Sequence, residues 1–213
     1  MEYTDFIAGL RDRLARPLPG HNAHRLMSPI PRAGTEPGYV PPLPPRRGGV
    51  LVLFYPHNDV PYLALILRPT YDGVHSGQVS FPGGGEEEMD TDLIATALRE
   101  AYEEVGIPPE EVEIIGHLSK LYIEPSNFEV YPTVGWMAQR PTFRIDPNEV
   151  ARLLEVPFSA FQNPINRYEE QWTLRGRQVQ VPFFKIQGQT VWGATAMILS
   201  ELMAVMGEHG LQN

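Results

Sequence analysis

The sequence predicts an α/β (α+β) domain, on two observations. Two apolar, branched runs, "GVLVLFY" at 49–55 and "YLALILRP" at 62–69, flank the turn-like "PHNDVP" and read as a hairpin of buried strands. Further on, Ile94, Leu98, Ala101 and Val105 instead fall at helical spacing. Strand and helix patterns therefore share one chain.

Its 213 residues, 42% hydrophobic, suffice for one sizeable core, which implies one domain with extensions, though two small domains are not excluded. Acidic residues outnumber basic ones 26 to 17, a net charge of −9, and no long basic run is present. Nucleic acid and anionic membrane are therefore not expected partners. Cysteine is absent, which removes disulfides, thiolate nucleophiles and Cys-based zinc sites. The start, "MEYTDFIAGLRDRL", lacks the basic, apolar and small-residue order of a signal peptide, and no apolar run approaches membrane-spanning length. The expected location is cytoplasmic.

In chain order, Phe6, Ile7, Leu10 and Leu14 predict a short amphipathic helix over 3–16 that stops before Pro17. Residues 17–48 hold much of the proline and are expected to form no regular structure. They read as a strap wrapped on the domain, with a polyproline II ligand as the alternative. The division is thus 1–48, helix and strap, and 49–213, the main domain. After the hairpin, strands are expected at 112–118, 129–138 and 179–187, and helices at 147–154 and 192–206.

The segment "FPGGGEEEMDTDLIATALREAYEEVGI", 81–107, carries the chemistry. Asp90, Thr91 or Asp92 can cap the helix and Gly106 can end it, while Ile94, Leu98, Ala101 and Val105 form the expected core stripe. Glu100, Glu103 and Glu104 are three and four residues apart and project over one arc. Like charges so spaced repel by a few tenths of a kcal/mol per pair, so the cluster asks for a counter-ion. Mg²⁺ or Mn²⁺ fits, since hard cations take a few carboxylates and keep other positions for water and phosphate. Arg99 can orient a carboxylate, and a peptide carbonyl of "PGGG" can complete the ligand set. The plainer reading of E-x-x-E-E alone is a solvated acidic helix face.

"FPGG", a fixed-length linker and "ALREAYEEVGI" together resemble the Nudix hydrolase signature, matched at Gly84, Arg99, Glu100, Glu103, Glu104, Gly106 and Ile107. The first acidic position of that signature falls on Asp90 counted forward from Gly84 and on Thr91 counted back from Arg99. Within the family, "RPTYDGVHSGQVSFPGG" and parts of both flanks resemble the coenzyme A pyrophosphatases. Arg68, Gly77, Phe81, Pro82, Gly83 and Gly84 match, whereas Pro69 and Gly73 stand where a small residue and a second arginine are expected.

The resemblance implies a Nudix fold, a mixed β-sheet between helices, and hydrolysis of a diphosphate linkage in a nucleotide derivative by metal-activated water. Glu103 and Glu104 would be principal ligands, Glu100 a ligand or water-orienting group, and Arg99 a salt-bridge partner that holds the glutamates. The Gly83 carbonyl would be a further ligand and Arg68 would face substrate phosphate. The general base is left open among the box glutamates, Glu124, Glu129 and Glu149. Of the histidines only His75 lies in a motif segment, and the three tryptophans read as packing residues ahead of any adenine platform. Coenzyme A is the first substrate choice, with ADP-ribose or a dinucleotide as the alternative and a non-catalytic nucleotide-binding module as the remote one. The family is often homodimeric, and the N-terminal helix offers an interface.

Overall fold

A computed structural model describes residues 2–34, 39–70, 72 and 75–207. Helix α1 (Tyr3–Leu14) is followed by one turn, α2 (His21–His24), and strands β1 (Arg46–His57) and β2 (Val60–Leu67) form the expected hairpin. Short strands β3 (Val79–Ser80) and β4 (Gly83–Gly85) lead into α3 (Leu93–Val105). Then come β5 (Glu113–His117), β6 (Leu121–Ile123), β7 (Phe128–Trp136), β8 (Arg152–Pro157), α4 (Ser159–Gln162), β9 (Arg167–Leu174), β10 (Arg177–Ile186), β11 (Gln189–Val191) and α5 (Gly193–Val205).

The larger sheet is mixed. β1 runs parallel to β7 along nine residue pairs, from Arg46↔Phe128 to Phe54↔Trp136, while its pairing to β2 is antiparallel. Beyond Phe54 and Leu63 the strands of the hairpin diverge, and the chain from 79 to 85 fills the fork. β3 bonds β2 at Leu67↔Val79 and β4 bonds β1 at Gly48↔Gly85, both antiparallel. The glycine-rich loop is therefore held on both sides by sheet. β5 and β6 continue from β7, β8 covers the outer edge of β2, and β9 to β11 make a separate three-stranded sheet.

Each face of the large sheet has its own core. Leu51, Leu53, Tyr55, Ala64 and Ile66 meet Ala97, Ala101 and Val105 of α3. The opposite face packs Val52, Phe54, Leu63 and Leu65 against Phe6 and Leu10 of α1, Leu199 and Leu202 of α5, and Phe184 of β10. A mixed sheet between helices is what the resemblance implied. The apolar side of α1, Tyr3, Phe6, Ile7, Leu10 and Leu14, is wholly buried within the chain.

Three expectations need correction. Residues 147–154 are not a helix: a turn leads into β8, whose Leu154 and Val156 are buried at a period of two while the whole strand pairs with β2. Residues 17–48 are not devoid of regular structure, since the proline-free stretch 20–28 forms α2 and a following 3₁₀ turn that buries Met27, and β1 already begins at Arg46. The core stripe of α3 is turned by a residue toward Thr96, Ala97, Ala101, Glu104 and Val105, leaving Ile94 and Leu98 half-buried. The helix lies so close to β1 that a Cβ on Gly49 would be 2.2 Å from the Leu93 carbonyl, so small alanines make the contact. Among the described residues, no helix is long and apolar enough to cross a membrane.

Candidate active site

Helix α3 presents the carboxylates. Asp92 caps it, its side chain accepting from the Ala95 N–H at 2.8 Å, and Gly106 ends it in the left-handed conformation, φ 73°. The turn rotates Glu104 inward, to 1% exposure, and Glu103 outward, with its side chain 48% exposed. Glu100 lies between, half-buried, against the glycine loop. A Cβ on Gly84 would be 2.5 Å from the Glu100 carboxyl atoms, so a side chain there would displace the carboxylate.

Glu104 accepts the Gly83 N–H at 2.9 Å and has the Arg68 guanidinium 3.5 Å away. Arg68 also donates to the Gly83 carbonyl at 2.8 Å and to Ser80 Oγ at 3.3 Å, so one cation binds the carbonyl and the buried carboxylate together. Burial pushes the Glu104 carboxyl up to about 8 against the opposing pull of Arg68 and the Gly83 N–H, with Glu100 and Glu149 adding repulsion. Burial also raises Glu100, opposed by Arg99 and reinforced by Glu103 and Glu149.

The third member of the cluster comes from outside the helix. Ligand oxygens of Glu100, Glu104 and Glu149 all lie within 4.8 Å of one another. Glu149 reaches them because its loop is stitched to the last turn of α3: Arg144 N–H bonds the Val105 carbonyl at 2.9 Å and Asp146 N–H the Glu104 carbonyl at 3.0 Å. Among the acids left open as general base, Glu149 is thus beside the box glutamates. Glu129 is instead occupied by Lys120, at 2.8 Å, and by the Tyr131 hydroxyl, and Glu124 sits in the 3₁₀ turn 124–126. Nothing local in "DPNEV" marks Glu149; only the tertiary path of the loop does.

Arg99 organises the rim. It donates to Glu100 at 2.8 Å, Glu103 at 3.1 Å, the Gly85 carbonyl at 2.9 Å and both oxygens of Asp90 at 3.0 and 2.9 Å. Asp90 also takes the Thr96 hydroxyl and the Glu87 N–H, and its bonds from Arg99 hold its carboxyl far below the usual carboxylate range. The acidic position preceding the box is therefore filled by Asp90, while Thr91 is exposed.

Other singled-out residues do not join the cluster. His75 contacts Gln78, and the tryptophans pack on other rings, Trp136 on Tyr3 and Trp172 on Trp192 and Phe183. Pro69 is half-buried next to Arg68, and Gly73 and His209 lie outside the described residues.

The NUDIX domain profile matches residues 45–172, well over half of the chain. This chain belongs to the Nudix family. It is 39% identical over 157 residues to a Pectobacterium atrosepticum protein named as an uncharacterized Nudix hydrolase NudL, covering 74% of this chain and 81% of that one. A Photorhabdus laumondii protein of the same name is 38% identical over 142 residues, 67% of this chain and 75% of that one. Among solved structures, the M. smegmatis Nudix hydrolase RenU superposes with a TM-score of 0.54 at 15% identity, covering 79% of this chain and 89% of that one, a likeness of fold. The chain is a Nudix hydrolase, and its family acts on diphosphate linkages of nucleotide derivatives with the help of divalent metal.

Proposed function

We propose that this Nudix hydrolase cleaves the diphosphate of coenzyme A, releasing 3′,5′-ADP and 4′-phosphopantetheine, with Mg²⁺ or Mn²⁺. The observation that supports a metal here is the buried, charge-disfavoured Glu104 grouped with Glu100 and Glu149 within 4.8 Å, an arrangement that a divalent cation relieves. Support for coenzyme A comes from Arg68 and the 77–84 segment, which match the coenzyme A pyrophosphatase pattern.

Glu104 and Glu100 would hold the cation, with Glu103 at the rim and the Gly83 carbonyl as a neutral ligand. When bound, the metal supplies water at lowered pKa and neutralises charge on the leaving phosphate. Glu149 would take the proton of the attacking water, being exposed to solvent and within reach of the other carboxylates. Arg99 fixes Glu100 and Glu103, and Gly84 leaves clear the space in which the Glu100 carboxyl sits. Arg68, already on the Gly83 carbonyl, offers its remaining N–H groups to a substrate phosphate. The substrate is a nucleotide diphosphate derivative, and the cytoplasm is the compartment that suits it.

Chromatography of products after separate incubation with coenzyme A, ADP-ribose and a dinucleotide tests this. Rapid formation of 3′,5′-ADP from coenzyme A supports it. Turnover of only the others would retain the diphosphatase chemistry and move the substrate to the alternative, in line with the Pro69 and Gly73 departures.

A further inference from the structure

A cleft of about 390 Å³ opens between the start of β1 and β4, lined by Pro45, Arg46, Arg47, Gly85, Glu86 and Phe128. Two adjacent arginines in a chain of net charge −9 need a reason. Arg47 has one inside the protein, since its Nε and Nη2 bond the Glu86 carboxylate at 3.0 and 2.6 Å. Arg46 does not. Among the described residues it makes no ion pair, and its guanidinium carbon lies 5.5 Å from the centroid of the Phe128 ring, its neighbour across the parallel β1–β7 pairing.

Such an arginine is preorganised for an anion. A guanidinium resting on a ring gives up its face and keeps its N–H groups, which point outward in its own plane and match two oxygens of a phosphate. The cleft and the carboxylates share strand β4, on opposite faces of the sheet. A Cβ placed on Gly48 would be 2.1 Å from the Gly84 carbonyl oxygen and 2.4 Å from the tip of the Phe128 ring. Gly84 is the residue against which the Glu100 carboxyl rests. The Gly84 peptide thus stands between the Phe128 ring on one face of the sheet and the Glu100 carboxylate on the α3 face, and the way from one to the other leads around the end of β4 at Gly85.

We propose that Arg46, held on Phe128, binds a phosphate monoester carried by the nucleotide half of the substrate outside the scissile diphosphate, and so sets substrate preference. Resting on the coenzyme A reading above, that group is the 3′-phosphate of the ribose, which ADP-ribose and simple dinucleotides lack. A monoester dianion is a stronger ligand for a lone guanidinium than a ribose hydroxyl, so the preference follows from charge.

The test compares wild type with Arg46→Gln and Arg46→Lys on coenzyme A and 3′-dephospho-coenzyme A, and measures by calorimetric titration the binding of 3′,5′-ADP against 5′-AMP. Wild type is expected to prefer the 3′-phosphorylated member of each pair by about tenfold or more, a ratio that Arg46→Gln brings close to unity and Arg46→Lys restores in part. Equal losses on both members of a pair, or an unchanged ratio, would overturn the assignment. A wild type that does not cleave coenzyme A but still binds 3′,5′-ADP through Arg46 would sink the substrate reading and leave this one standing. Cleavage of coenzyme A with no Arg46 dependence would do the reverse.

Discussion

Glu104→Gln should move stability in opposite directions with and without metal. Glutamine keeps an acceptor for the Gly83 N–H, which Glu104 receives at 2.9 Å, and removes the ionisable carboxyl. The carboxyl is displaced upward from 4.5 to about 8, so ionisation at neutral pH is opposed by the fold. For a carboxyl raised in this way the stability cost is absent below its unfolded value and grows as pH climbs toward the folded one. Each unit corresponds to about 1.4 kcal/mol, and the rise from 4.5 to pH 7 amounts to about 3 kcal/mol that the variant is spared. In EDTA the variant should therefore melt higher than wild type by about 6–12 °C, given about 2–4 °C per kcal/mol for a chain of this size. Near pH 4 the two should converge. With Mn²⁺ at a hundredfold over Kd the wild type gains about 2.7 kcal/mol from binding, and the variant should gain little. Thermal melts of both proteins at two pH values, with EDTA and with Mn²⁺, read all of this. A variant that melts below wild type in EDTA, or shows the same metal shift, would refute the account of Glu104 as a strained ligand.

Further outcomes are expected elsewhere. Gly84→Ala places a methyl 2.5 Å from the Glu100 carboxyl, the movable end of a side chain, so denaturant unfolding should show a loss within about 2 kcal/mol while kcat/KM falls about 10²-fold. Asp90→Asn breaks the bonds that hold the aspartate below its usual range, so it should cost about 3 kcal/mol at pH 7. Wild type loses that contribution as pH falls below about 4, and melts across pH 2 to 7 should show the variant with the flatter acid limb. His24→Ala leaves Glu201, fully buried, without the 2.8 Å partner that, with Ser119, outweighs its burial; equilibrium unfolding should show a loss of about 3–5 kcal/mol with turnover unchanged at low temperature.

The sequence was legible where local rules and tertiary demand agreed. In α3 the Asp92 cap, the Gly106 stop and the apolar spacing all point one way. The same spacing misled at 147–154, because Val150, Leu153 and Leu154 imitate one helical face, whereas the open edge of β2 takes that segment as a strand. β9 escaped notice since Arg167–Leu174 is almost entirely exposed and shows no alternation of apolar residues. Identity of the three box glutamates was evident, but not their division of labour. Glu104 faces the core and Glu103 the solvent because α3 is rotated until its alanines meet β1, a contact set by shape and not by charge. Glu149 depended on two backbone bonds between segments about forty residues apart along the chain, which no local pattern encodes.

The region of family similarity, 45–172, leaves out part of the hydrophobic core. Phe6, Leu10, Phe184, Leu199 and Leu202 lie outside it yet cover much of one face of the central sheet, and Arg13 ties α1 to the final carbonyls of α5 at Val205 and Met206. The two chain-terminal helices thus act as a clasp closed over a shared catalytic chassis. A fragment trimmed to the similar span would carry every box glutamate on a foldon with one wall missing, and its fate in the test tube would be set by aggregation before any question of chemistry arose.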